Sequence, residues 1–356
     1  MRHRARALPR DRPRSLGGAR GLRAFAGARE LTPGEPRHAP APAARAAAAR
    51  SPRGAAARLL LRGLAAFPDR SGLALGAALG RTWVRLGFPR TRAARVNLRI
   101  AFPEWREAER EDVLRESFAN LGRSAVELAW LGRRDPRALA ARVRVEGREH
   151  LEAARAQAPG GGVIVLTAHF GSWELIAAVL VALGFPLAVV HRTRDDLGLD
   201  EALLERRLEG GATFLPRGVA AFGALRALRS GSLLALPFDQ NARSEPRAFI
   251  PFFGRLASTS LAVARLALVS GAPVLPGFIH RDRSDPAQHV AHFHPALELD
   301  ASGSAEALVE NARRMTRAIE REIRTAPELW AWAHRRWRTQ PAGEPRPLYE
   351  RPRAKD

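Results

Sequence analysis

The stretch VIVLTAHFGSWELIAAVLVALG, Val163 to Gly184, constrains the fold more than any other part of this chain. Val163–Thr167 is a short β-branched and aliphatic run with no polar alternation, as expected of a strand buried on both faces. Gly171-Ser172 then supplies a tight turn, and the apolar run after Glu174 reads as a buried helix. A strand that turns directly into a helix is the opening of a βαβ unit. His169 stands two residues past the strand, where open α/β sheets place their functional groups.

The rest of the chain continues the alternation. Candidate strands are Val163–Thr167, Leu187–Val190, Ser232–Pro237, Pro273–Ile279 and Val290–Phe293. Candidate helices are Arg106–Gly132, Trp173–Leu183, Leu199–Leu208, Val219–Arg229, Thr259–Val269 and Ala305–Arg324, the fifth with a Ser/Thr cluster at its start and Gly271 past its end. This predicts an α/β fold: a central mixed, largely parallel sheet flanked by helices, preceded by N-terminal membrane-associated helices.

Four segments are expected. Residues 1–55 read as a disordered basic extension, since they hold 13 Arg against 3 acids and few large apolar residues. No apolar run follows the first arginines, so a secretory signal is not indicated. Residues 56–90 are apolar but interrupted by Arg62, Pro68-Asp69-Arg70 and Arg81; the longest uncharged run, Ser71 to Gly80, is far short of the roughly 20 residues a span needs. A helical hairpin dipping into one leaflet fits, as does an ordinary amphipathic core helix. Residues 91–341 form the main domain and 342–356 a flexible tail.

The net charge of +22, carried almost wholly by arginine, favours anionic partners: acidic lipid, phosphate, an acidic carrier protein or nucleic acid. The absence of cysteine excludes a thiolate nucleophile and any Cys-ligated metal.

His169 and Glu174 flank the turn. A carboxylate folded back onto one ring nitrogen fixes the tautomer and leaves the other nitrogen as a general base. A structural histidine beside a surface glutamate is the plain alternative. Zinc is disfavoured, since no His-Glu-x-x-His occurs and one His with one carboxylate underligates a metal. With no Gly-x-Ser-x-Gly elbow either, direct attack by a substrate hydroxyl is the simpler chemistry.

TAHFGSWEL resembles the first signature of the lipid A biosynthesis acyltransferases, within the wider superfamily sharing His-x4-Asp/Glu; Ser172 stands where that family usually has Asn. Further similar blocks follow in order: RAARVNLRIAFPEWREAER (Arg92–Arg110), FLPRG (Phe214–Gly218), LLALPFDQNARSEPRAFIPFFG (Leu233–Gly254), GAPVLPGFI (Gly271–Ile279) and PELWAWAHRRWRTQP (Pro327–Pro341). The resemblance implies His169 as base with Glu174 its partner, Arg217 holding a phosphate or the developing oxyanion, Asp239 shaping the acceptor site, and Arg243 and Arg247 contacting phosphate. It also implies no cofactor and no metal, an acyl-acyl carrier protein co-substrate, a membrane lipid acceptor, and residence on the cytoplasmic face of the inner (plasma) membrane. Nucleic acid is not an expected partner. The closing cluster Trp330, Trp332, His334, Arg335, Arg336, Trp337, Arg338 reads either as a membrane-interface belt or as tryptophans packed on the core, with aromatics stacking on nucleic acid bases a third and lesser reading.

Overall fold

Val163–Thr167 (β2) is the hub of the sheet because its residues are apolar on both sides and every one is buried. The computed structural model describes residues 51–131, 133–191, 197–216, 220–344 and 348–349. The helices α1 (Pro52–Ala66), α2 (Asp69–Arg85), α3 (Pro89–Ala101), α4 (Glu107–Trp130) and α5 (Pro136–Ala140) precede the sheet. After them come β1 (Val143–Glu146), α6 (Arg148–Gln157), β2, α7 (Trp173–Ala182), β3 (Leu187–His191), α8 (Leu197–Glu209), β4 (Thr213–Pro216), α9 (Ala220–Arg229) and β5 (Leu233–Pro237). The chain continues through β6 (Arg247–Phe252), β7 (Arg255–Ser260), α10 (Ala262–Ser270), β8 (Val274–Arg281), β9 (His289–Phe293) and α11 (Ala305–Thr325).

The sheet order is β1-β9-β8-β2-β5-β3-β4. The five strands from β8 to β4 are parallel; β9 runs antiparallel to β8, and β1 is parallel to β9. The expected mixed, largely parallel α/β sheet is therefore present. Side chains alternate across β2. Ile164 and Leu166 pack in a core with Leu225, Leu228, Ala264, Met315 and Ile319. Val163 and Val165 pack on the other face with Leu151, Leu175, Val179 and Leu203.

One sequence expectation changes and one open reading is decided. Thr259 and Ser260 belong to the hairpin β6–β7, which pairs Arg247 with Ser260, so α10 begins only at Ala262. The Ser/Thr cluster read as a helix start is strand, although the Ser260 hydroxyl still accepts from the Ala262 amide at 3.2 Å. The closing tryptophans are core: Trp330, Trp332 and Trp337 are all at most 1% exposed, so they form no membrane belt.

The apolar segment before the sheet forms α1 and α2. One stripe of α2 is glycine, and it lies against α4 so closely that a Cβ on Gly76 would meet the Gly122 carbonyl oxygen at 2.6 Å. Backbones approach this closely only where side chains are missing. Other residues of α2 and its C-cap Leu86 face solvent: Leu79 is 55%, Trp83 44% and Leu86 64% exposed. Among the described residues, no helix is long and apolar enough to cross a membrane.

Candidate active site

The register of β2 and β5 makes the site. Thr167 lies opposite Pro237, and the Phe238 amide donates to the Thr167 carbonyl at 2.9 Å. His169 and Asp239, each two residues further on, therefore emerge side by side at the carboxyl edge of the sheet. The Asp239 carboxylate accepts from the His169 backbone amide at 3.0 Å through Oδ2, while Oδ1 lies 2.8 Å from the imidazole Nδ1. The Trp330 indole donates to the same carboxylate at 2.8 Å.

The turn after His169 is fixed by Gly171. It sits at φ 57°, and a Cβ there would fall 1.8 Å from the Ile279 carbonyl oxygen, so only glycine fits. Its amide donates to the Leu329 carbonyl at 2.9 Å, and the Ala331 amide donates to the His169 carbonyl at 2.9 Å. The turn is thus stitched on one side to the segment that carries Trp330.

Glu174 lies elsewhere than expected. Its carboxylate forms an ion pair with Arg207 of α8, whose Nε is 2.9 Å away, and accepts from the Trp173 indole at 3.2 Å. The imidazole is held by Asp239 instead. The cause is topological: Glu174 begins α7 and points toward α8, whereas the neighbouring strand brings Asp239 onto Nδ1. Glu174 still acts on His169 through its charge.

Burial would by itself keep the imidazole neutral. The adjacent Asp239 carboxylate outweighs it by charge and hydrogen bonding, and with help from Glu174 it raises the His169 pKa above its ordinary value. Burial pushes the Asp239 carboxyl up, but His169 and the Trp330 indole overcome that and hold it well below the carboxylate range. In the neutral ring, with Asp239 ionised, Nδ1 carries the proton and Nε2 the lone pair. The Gln240 amide nitrogen lies 3.2 Å from Nε2, and the His169 side chain is 27% exposed against 3% for Asp239. One ring nitrogen is oriented by the buried carboxylate; the other, beside the Gln240 side chain, carries the lone pair that can accept a proton.

The other expected site residues are scattered. Arg217 lies outside the described residues. Arg243 is exposed and makes no ion pair with a described residue. Arg247 pairs with Glu245 at 2.8 Å. Arg207, Gln240 and Trp330 were not singled out individually as site residues. Arg207 lies in a helix read only for its apolar spacing, and nothing local marks it. Among the described residues no group of three or more His, Asp or Glu side chains is arranged to hold a metal.

A family model for bacterial lipid A biosynthesis acyltransferases matches residues 48–339. The chain is 31% identical over 258 residues to the lipid A biosynthesis palmitoleoyltransferase of Escherichia coli (strain K12), covering 70% of this chain and 79% of that protein. It is 28% identical over 274 residues to the lauroyltransferase of the same strain, covering 76% and 86%. The match to the myristoyltransferase of that strain is 28% over 287 residues, covering 80% and 86%. Among solved structures, a 1-acyl-sn-glycerophosphate acyltransferase from Thermotoga maritima aligns at 18% identity over 74% of this chain and 100% of that one, with a TM-score of 0.33, too low to argue from.

Proposed function

Since the chain belongs to the bacterial lipid A biosynthesis acyltransferase family, we propose that it moves a fatty acyl chain from an acyl carrier protein thioester to a hydroxyl of a lipid A precursor, with His169 as general base. The observation that carries this reading is the pairing of His169 Nδ1 with the buried Asp239 carboxylate, which leaves the lone pair that takes a proton on Nε2, beside the Gln240 amide.

The chemistry needs little else. Nε2 accepts the proton of the acceptor hydroxyl as its oxygen attacks the thioester carbonyl carbon. The new C–O bond forms, the C–S bond breaks, and the imidazolium returns its proton to the departing thiolate. Asp239 stabilises the imidazolium in between without itself being protonated. Glu174 and Arg207 border the site as a fixed ion pair, with Glu174 adding negative potential near the imidazole. Arg217, which follows β4 in the sequence, is assigned to the acceptor phosphate or the oxyanion by its place in the family pattern.

The same reading places the enzyme on the cytoplasmic leaflet of the inner membrane. Leu79, Trp83, Leu86 and Phe88 present exposed apolar surface beside Arg81, Arg85 and Arg90, a composition suited to the headgroup region. The glycine stripe on the other side of α2 keeps that helix on the protein, so it rests in the interface without spanning.

The deciding experiment supplies purified protein with carrier protein charged with several chain lengths and with a panel of acceptors: a Kdo-bearing lipid A precursor, a lysophospholipid and an inositol mannoside. Product masses read donor length and acceptor together. Transfer to the lipid A precursor is expected. Transfer only to the lysophospholipid keeps the mechanism and overturns the acceptor, and no transfer by folded protein overturns the enzyme assignment.

A further inference from the structure

Of the closing cluster, the tryptophans are used in the core, and His334 remains to be explained. Its Nε2 lies 3.0 Å from the Asn241 backbone nitrogen. A backbone amide only donates, so Nε2 must carry a lone pair, and the neutral ring has its proton on Nδ1. A protonated ring would offer no acceptor. The surroundings favour the neutral form: burial chiefly, with the positive charge of His169, Arg336 and Arg90, outweighs the pull of Asp239 and brings the His334 pKa down to about 4.

Both partners in this contact are anchored. The His334 carbonyl accepts from the Asn97 side-chain amide at 2.6 Å, and the Trp332 carbonyl accepts from the same nitrogen at 2.7 Å. Asn97 is fully buried, and its other side-chain atom accepts from the Tyr349 hydroxyl at 2.5 Å. Asn241 is tied to Thr339 twice, each bond 3.0 Å long. Asp239, Gln240 and Asn241 are consecutive, so whatever fixes the Asn241 amide fixes the turn that faces His169.

We propose that His334 is a positioning residue: its unprotonated Nε2 holds the Asn241 amide and thereby keeps the Asp239–Gln240 turn seated against His169. Its effect on rate rests on the reading of His169 as the base; its effect on the geometry of the pair does not. The His169 imidazole is faced by Asp239 from the turn after β5, by Glu174 and the Trp173 ring from α7, by Arg207 from α8 and by His334 itself. Loosening the turn weakens the nearest of these, the Asp239 carboxylate.

The test uses the full chain and three measurements. Ring nitrogen shifts of the wild-type protein at neutral pH should show His334 protonated on Nδ1 alone; a proton on Nε2 overturns the proposal without any variant. His334→Leu, which has no acceptor, should lower the NMR titration midpoint of His169, shift the acid limb of the rate profile downward with it, and cut kcat about ten-fold, the worth of one hydrogen bond, with KM unchanged. His334→Gln, whose side-chain carbonyl can take the place of Nε2, should restore all three. An unchanged His169 midpoint in a folded Leu variant, or equal damage from Gln and Leu, would sink the idea. His169→Ala is the separate control: wild-type transfer in that variant removes the base assignment but leaves the titration result standing.

Discussion

The indole of Trp330 donates to the Asp239 oxygen that also accepts the His169 backbone amide, at 2.8 Å. The other carboxylate oxygen is thereby left to the imidazole, so the carboxylate cannot rotate away from the ring without breaking two bonds. Asp239→Asn should keep the shape and lose the charge. The expected result is a fall in kcat of about 10²–10⁴-fold and an acid limb moved to lower pH, because the imidazolium loses its stabilising partner. An unchanged profile would remove Asp239 from the mechanism.

Glu174 and Arg207 form a mostly buried pair, 11% and 15% exposed in their side chains. Removing one charge strands the other, a cost of about 3–5 kcal/mol for a buried pair and less here because both retain some solvent. Glu174→Gln should therefore lower stability in chemical denaturation as well as activity. The double variant Glu174→Gln/Arg207→Gln should recover much of the stability without recovering the rate. Full recovery of both would make the pair purely architectural.

His169 and His334 move stability in opposite directions with pH. The raised His169 pKa means its contribution is complete below the ordinary value of 6.5 and is lost as pH rises through the folded value. For His334, down at about 4, the unfolded chain takes up a proton first, so stability falls as pH drops from 6.5 toward 4. Denaturation at pH 7 and pH 5 should show wild type losing more stability on acidification than His334→Gln.

The contact between α2 and α4 leaves no room for a methyl group. Gly76→Ala should cost about 1–3 kcal/mol through forced separation of the helices. Thermal melts would show it; a neutral result would mean the helices separate freely.

Leu79, Trp83 and Leu86 should be the groups that enter lipid. Burying such a side chain is worth roughly 1.5–3 kcal/mol when complete, so the triple serine variant should bind anionic vesicles at least about ten-fold more weakly. Wild-type binding should survive high salt. Release by salt alone would mean that arginines, not apolar insertion, hold the protein there.

The strands and helices around His169 were legible because burial and chemistry agree locally: Val163–Thr167 is apolar on both faces, and the turn needs Gly171. Strand β4 and the hairpin β6–β7 were not, since Thr213–Pro216 is too short to show a period and Arg247–Phe252 carries a proline and an arginine. The partner of His169 was missed for a different reason. Glu174 is close in sequence, but Asp239 is close only once β2 is known to pair with β5, and pairing between distant strands leaves no trace in local periodicity. The closing segment fitted each of its readings until burial decided among them.

The Asn97 amide grips carbonyls 235 and 237 positions further along. During synthesis, at about 5–20 residues per second, α3 waits for those distant residues to emerge before that grip can close. Strands β2 and β5 can pair well before then, bringing His169 and Asp239 close, but the turn that aims Asp239 stays unfastened until Trp332 and His334 have emerged. On the proposed mechanism, the His169–Asp239 pair is therefore aligned for chemistry only after the sheet that displays it has formed.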